Sequence, residues 1–564
     1  MPKLTVVWSK IGVRTPWLMA ALYLCSVPFQ GAVAQAVSGL SCGGPLVLTS
    51  SGPVCGAEFP AFEGADVAVQ AFLGIPYAES TAGEGRWRPP VPKAPWIEPF
   101  VADSYGSPCP QGVESQPQRG EMSEDCLSVN VWTPAADGAA RPVIVFIYGG
   151  AFVAGSTAAE LYRDGPLVYD AGRLAATQDV VVVTLNYRVG ALGFLAGVGG
   201  LEGNYGLRDQ QLALRWVQEN AAAFGGDPDR VTLAGQSAGA MSVTAHLTAI
   251  PSSEGLFDAA IVMSNPAGLP YKEMKEATDL GVAFGVVAGC PRRGDQLACL
   301  RALSFEEIVE TQTSRLIVTS VLKLGADGLL LWAPTVDGEF LVGVPIGEAF
   351  EGGYDVPAII GTTSGEGVIF GNGDGARMGF LEFSVAAQVM LGREAADLVV
   401  REYSPGFGRD HRSAWIDVFT ELVFHCPSLG LALAGNGPTY FYEFEHLSSV
   451  RISDPEPCTE RACHSEDVPY VFGTAAGEKP FTPDERELSN FIQRFWGAFA
   501  HAPERLQEVD LGGGLRWPQY QVPQREVLSI VLEPHVRPAN LHGCDLAAQI
   551  GQIRGIIDRL PELP

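Results

Sequence analysis

The stretch Val231-Thr232-Leu233-Ala234-Gly235-Gln236-Ser237-Ala238-Gly239-Ala240 constrains this chain more than any other. It reads as a buried apolar strand, a sharp turn and the first turn of a helix. A G-x-S-x-G turn between strand and helix is strained and lifts one hydroxyl, here that of Ser237, above a sheet edge. Gly235 and Gly239 are needed because a larger residue would block the close approach of strand and helix. Ala238 and Ala240 keep the first helical turn thin for the same reason. With 66 glycines in 564 residues, the five-residue pattern alone carries little weight. Gly39-Leu40-Ser41-Cys42-Gly43 matches it too. No apolar strand precedes that copy and no helical pattern follows it, so Ser41 fails the context test that Ser237 passes.

Further strands surround this one in sequence. Residues 141–148 and 180–187 are near-continuous apolar runs, as expected for strands covered on both faces. Residues 71–77, the end of 123–132, 259–264, 356–362 and the aromatic 439–445 read as strands as well. Apolar residues at Leu207, Leu212, Leu214, Trp216, Val217 and Phe224 predict a helix that Gly225-Gly226-Asp227-Pro228 stops. Residues 270–350 carry helical patterns and irregular stretches, read as a lid or cap. Strands alternating with helices predict an α/β fold: a large, mostly parallel central sheet with helices on both faces and cap insertions.

The amino terminus predicts export. Lys3, Lys10 and Arg14 form a basic leader, residues 17–27 an apolar core too short to span a bilayer, and Ala32-Val33-Ala34 a small-x-small cleavage site. Residues 1–34 read as a signal peptide and 35–564 as one domain with long insertions, secreted or periplasmic. The mature chain keeps 34 basic and 64 acidic residues, a formal charge of −30. Such a surface repels nucleic acid and anionic lipid, and no membrane span is expected after signal removal. Ten cysteines remain once Cys25 leaves, an even number that favours disulfides in an exported chain. No C-x-x-C or H-E-x-x-H occurs, so no metal site is expected. At the other end Leu546, Ile550, Ile553, Ile557 and Leu560 form an apolar stripe. It would either pack on the body of a monomer or pair helices in a homodimer.

Ser237 needs a base within hydrogen-bond reach to become a nucleophile. Of eight histidines, His464 stands out, in a loop about twenty residues after the late aromatic strand. An acid must orient that base. Glu366 follows the strand ending at Thr362, and sites in α/β sheets sit beyond the strands' carboxyl ends. Negative charge on an attacked carbonyl would need preformed N–H donors. Gly149 and Gly150, after the strand 141–148, can offer theirs without obstruction, and Ala238 follows the serine.

These pieces together resemble the type-B carboxylesterases, the α/β-hydrolase family that includes cholinesterases and related lipases. The resemblance is carried by Phe72-Leu73-Gly74-Ile75-Pro76-Tyr77, Ser123-Glu124-Asp125-Cys126-Leu127, Tyr148-Gly149-Gly150-Ala151-Phe152 and Asn204-Tyr205-Gly206-Leu207-Arg208-Asp209-Gln210. It continues in Phe224-Gly225-Gly226-Asp227-Pro228, the serine turn, Gly365-Glu366-Gly367, and His464 with Pro469-Tyr470-Val471-Phe472-Gly473. It implies hydrolysis of carboxylic esters through an acyl-enzyme, with a Ser237–His464–Glu366 triad and no cofactor. The substrate expected is a small to medium carboxylic ester. A lipase taking longer acyl chains, with residues 300–350 as a covering segment, and a non-catalytic binding or adhesion domain are the alternatives.

The resemblance also implies the bridges Cys109–Cys126, Cys290–Cys299 and Cys426–Cys544. Cys42–Cys55 and Cys458–Cys463 are paired by proximity alone. Gln236 stands where many relatives carry Glu, and Thr363 where many carry Asn; neither position is expected to do bond chemistry. The loop 110–125 holds no aromatic residue. Cholinesterases stack the choline cation on a tryptophan from this loop, so cholinesterase activity is not expected.

Overall fold

The computed structural model describes residues 42–62, 68–112, 117–314, 316–317, 330–370, 377–450 and 456–553. The expected leader, Ser41, Ile557, Leu560 and part of the expected lid thus lie outside the described residues. The larger compact unit of the chain begins at Gly44.

A sheet of eleven strands organises the larger unit. Numbering only its strands, in chain order, β1 is Ala57–Phe59, β2 Val69–Pro76, β3 Ser128–Thr133, β4 Arg141–Ile147, β5 Val181–Leu185 and β6 Gly226–Gln236. Then come β7 Ala259–Met263, β8 Ala358–Thr363, β9 Thr439–Phe444, β10 Glu526–Ile530 and β11 His535–Pro538. Their spatial order is β11-β10-β9-β8-β7-β6-β4-β5-β3-β2-β1. Neighbours from β5 across to β10 all run parallel. Antiparallel pairs occur only towards the two edges of this sheet. The apolar runs explain the interior: β5, β7, β8 and β9 are buried at every position, as strands covered on both faces must be. The serine strand β6 is the middle one, with Ala234 paired to Phe146 on one side and Ile261 on the other.

Boundaries shift where pairing overrides local signals. The predicted helix is Tyr205–Asn220 (α1), followed by a 3₁₀ turn, Ala221–Phe224. The Gly225-Gly226-Asp227-Pro228 stop is itself partly strand, because Gly226 pairs with Arg141 across a bulge. Residues 270–350 hold separate helices, among them Met274–Val287, Phe305–Thr313 and Pro345–Gly352. The helical run Arg412–Ala434 is long and apolar enough to cross a bilayer, yet 72% of its most apolar window is buried in the protein. In the tail, Ile550 is buried and Leu546 packs on the core, so these two positions of the apolar stripe face the body.

Disulfides join Cys109–Cys126, Cys290–Cys299, Cys426–Cys544 and Cys458–Cys463. Cys42 and Cys55 are disulfide-bonded as well.

Candidate active site

Ser237 sits between β6 and the helix Ala238–Thr248 (α2), with φ 58° and ψ −123°. That conformation costs a non-glycine residue roughly 1–3 kcal/mol and persists only where its surroundings impose it. Here the Ser237 N–H donates to the Met263 carbonyl at 2.9 Å, and the Ser237 carbonyl accepts from the Met241 N–H at 2.9 Å. The flanking glycines have no alternative. A Cβ on Gly239 would lie 2.0 Å from the Ile147 carbonyl oxygen, and one on Gly235 would lie 2.5 Å from the Gly239 carbonyl oxygen.

Glu366 opens a 3₁₀ turn, Glu366–Val368, just past β8. It is fully buried. One carboxylate oxygen accepts the Thr363 N–H at 2.7 Å, and the other lies 2.5 Å from His464 Nδ1. His464 lies between β9 and a short helix, Val468–Phe472 (α3), which replaces the loop expected up to Gly473. With Nδ1–H directed at Glu366, the network assigns Nε2 as the acceptor nitrogen. Nε2 faces the serine turn, 3.1 Å from the Gln236 side-chain nitrogen. Sequence reasoning gives Gln236 no such contact, although it adjoins Ser237.

An aromatic wall backs the imidazole. Phe424 and Phe370 lie 5.1 and 5.6 Å from its ring centre, and Phe370 stacks on Phe419 and Phe424. Phe419 and Phe424 come from a π-helical turn, Phe419–His425, inside the run Arg412–Ala434. Such turns are rare and concentrate at functional sites. The same turn supplies Thr420 Oγ1, which accepts the Gly367 N–H at 3.1 Å. None of these aromatics is singled out by sequence; only the spacing of Phe370, four residues past Glu366, was available as a signal.

A second carboxylate stands behind the pair. Asp467 is buried and accepts the Tyr442 hydroxyl at 2.8 Å. Burial, reinforced by the charge of Glu366, pushes its pKa up to about 6. By contrast His246, on α2, is bonded to Ser253 and Gln210 and held neutral by burial, its pKa lowered to about 3. It reads as a packing residue.

Gly149 and Gly150 leave the end of β4. Tyr148 and Tyr187 stack there at 4.6 Å, and the Tyr187 hydroxyl donates to the Tyr148 carbonyl at 3.0 Å, fixing the strand's exit. A Cβ on Gly149 would lie 2.8 Å from that of Ser237, so this loop packs directly on the serine turn. Gly150 has φ 113°, a left-handed conformation that suits glycine. Ala238 is the first residue of α2, where helix N–H groups lack intrahelical acceptors.

A serine held on a strained turn at the middle strand of a largely parallel sheet, with a buried histidine–carboxylate pair whose imidazole contacts the adjoining Gln236, defines an α/β-hydrolase. Comparison with known proteins narrows this. The carboxylesterase family profile matches residues 43–546, and the chain belongs to that family. It is 34% identical over 477 residues to para-nitrobenzyl esterase of Bacillus subtilis, covering 82% of this chain and 91% of that one. It is 33% identical over 525 residues to acetylcholinesterase of Bungarus fasciatus, covering 86% and 83% of the two chains. A solved PNB esterase structure superposes with a TM-score of 0.74 at 31% identity, covering 90% of this chain and 99% of that one. The chain is therefore a carboxylic ester hydrolase.

Proposed function

We propose that this is a secreted carboxylesterase of small to medium esters, in which Ser237 is the nucleophile, His464 the general base and Glu366 its orienting acid. One observation carries the reading: the bond from His464 Nδ1 to buried Glu366, with Nε2 turned to the serine turn. His464 Nε2 takes the Ser237 proton as Oγ bonds the ester carbonyl carbon. The N–H groups of Gly149, Gly150 and Ala238 receive the oxyanion. The carbon–oxygen bond to the alcohol then breaks, the alcohol leaves with the proton from His464, and water releases the acid by the same steps in reverse order.

The wall of Phe370, Phe419 and Phe424 supports an apolar group on the substrate beside the base. Nothing aromatic in the loop 110–125 is available to stack on a choline cation. The disulfides support an oxidising compartment, consistent with removal of residues 1–34 as a signal. The test is a rate profile of aryl esters across acyl chain lengths, run beside Ser237→Ala. Highest kcat/KM on short to medium chains is expected; a maximum on long, aggregated esters would make it a lipase.

A further inference from the structure

The Cys458–Cys463 bridge spans five positions, and its second cysteine directly precedes His464. Both cysteines are fully buried, yet they do not join the main core. They form a separate small cluster with Val368, flanked by Ile369 and Ile416. Val368 ends the turn that carries Glu366. The disulfide therefore packs on the acid's own turn.

Other contacts join the same two segments. Gly365 and Cys463 form an isolated parallel bridge. The Gly365 N–H donates to the Ala462 carbonyl at 2.8 Å, and the Ala462 N–H donates to Ser364 Oγ at 3.1 Å. The approach is close: a Cβ on Gly365 would lie 2.7 Å from that of Arg461 and 2.9 Å from the Ala462 carbonyl oxygen. On the far side, the Cys463 N–H donates to Glu466 at 2.9 Å. Cys458, Cys463 and Glu466 also cluster closely enough to suggest a cation site. Their sulfurs are already joined to each other, so neither is available as a thiolate ligand.

Among the described residues between Phe444 and Val468, the regular structure is one 3₁₀ turn, Glu456–Thr459, and catalytic groups lose rate steeply when misplaced by about 1 Å. We propose that the Cys458–Cys463 bridge is a positioning device. It clamps the His464 segment onto the Glu366 turn and sustains turnover rather than substrate binding. This rests on the triad reading above.

The test compares Cys458→Ser, Cys463→Ser and the double variant of the full chain, with Cys290→Ser/Cys299→Ser as a bridge remote from the triad segments. For a small aryl ester, kcat should fall about 10- to 100-fold in all three, with KM within about twofold. The double variant should be no worse than either single one, because each removes the same bond. The remote pair should lower the unfolding temperature without this selective loss of kcat. Should the serine variants not fold, Gly365→Ala pries the same segments apart with every cysteine intact and should show the same split. Wild-type kcat in the double variant would overturn the proposal, as would a KM rise that accounts for the loss. Ser237→Ala, measured alongside, separates the two readings: if it stays active, the triad reading itself has failed.

Discussion

The two halves of the proposed site are built by different means. Ser237 is held within regular structure, through backbone bonds to Met241 of its own helix and Met263 of the neighbouring strand β7, and by glycines pressed against neighbouring backbone. His464 and Glu366 sit in irregular connections 98 positions apart and are held by one another. A disulfide, a backbone bridge and an aromatic wall, Phe370 just past Glu366 with Phe419 and Phe424 from a third segment, support them. Added bulk at the glycines of the serine turn should therefore disturb the fold, whereas a change on the base side should cost rate while the fold survives.

The sharpest way to break this contrast is at the serine. Ser237→Ala adds no bulk to the turn, so it should fold normally and lose at least about 10⁴-fold in kcat/KM for a small aryl ester. Glu366→Gln should lose about 10²- to 10⁴-fold in kcat, with an unfolding temperature close to wild type. A large stability loss there would erase the distinction between the halves. Gly239→Ala should do the reverse and destabilise by about 3 kcal/mol or fail to fold, since its Cβ has no space against Ile147. Unchanged melting would show that the turn is softer than it looks.

The smallest effect concerns Asp467. Its folded pKa of about 6 lies above the ~3.9 of an exposed aspartate. Between these values the folded chain binds a proton that the unfolded chain has released. The carboxylate therefore opposes folding above pH ~6, and the penalty fades as pH falls toward ~4. Relative to wild type, Asp467→Asn should gain about 1–3 kcal/mol on going from pH 4 to pH 8, read by denaturant unfolding. A pH-independent difference would remove Asp467 from the buried charge cluster.

The same contrast explains what was legible in the chain. The serine turn is local: strand, glycines, serine and helix lie within ten residues, and the structure keeps their order. The parallel interior of the sheet was legible from its apolar runs. Glu366 and His464 were legible only as residues following strands and through family resemblance, because their meeting is a tertiary event. Gln236 against His464, the wall of Phe370, Phe419 and Phe424, and Asp467 behind the pair had no such signal. Phe419 and Phe424 reach the site through a π-helical turn inside the apolar helical run Arg412–Ala434. Strand β6 likewise begins before its apolar stretch, since pairing with Arg141 outweighs local turn chemistry.

The most direct test is covalent. An aryl organophosphonate should react once per chain, and peptide mass spectrometry should find the adduct on Ser237, with none on Ser237→Ala. An adduct on another residue, or full esterase activity in a chain whose Ser237 remains unmodified, would contradict the account.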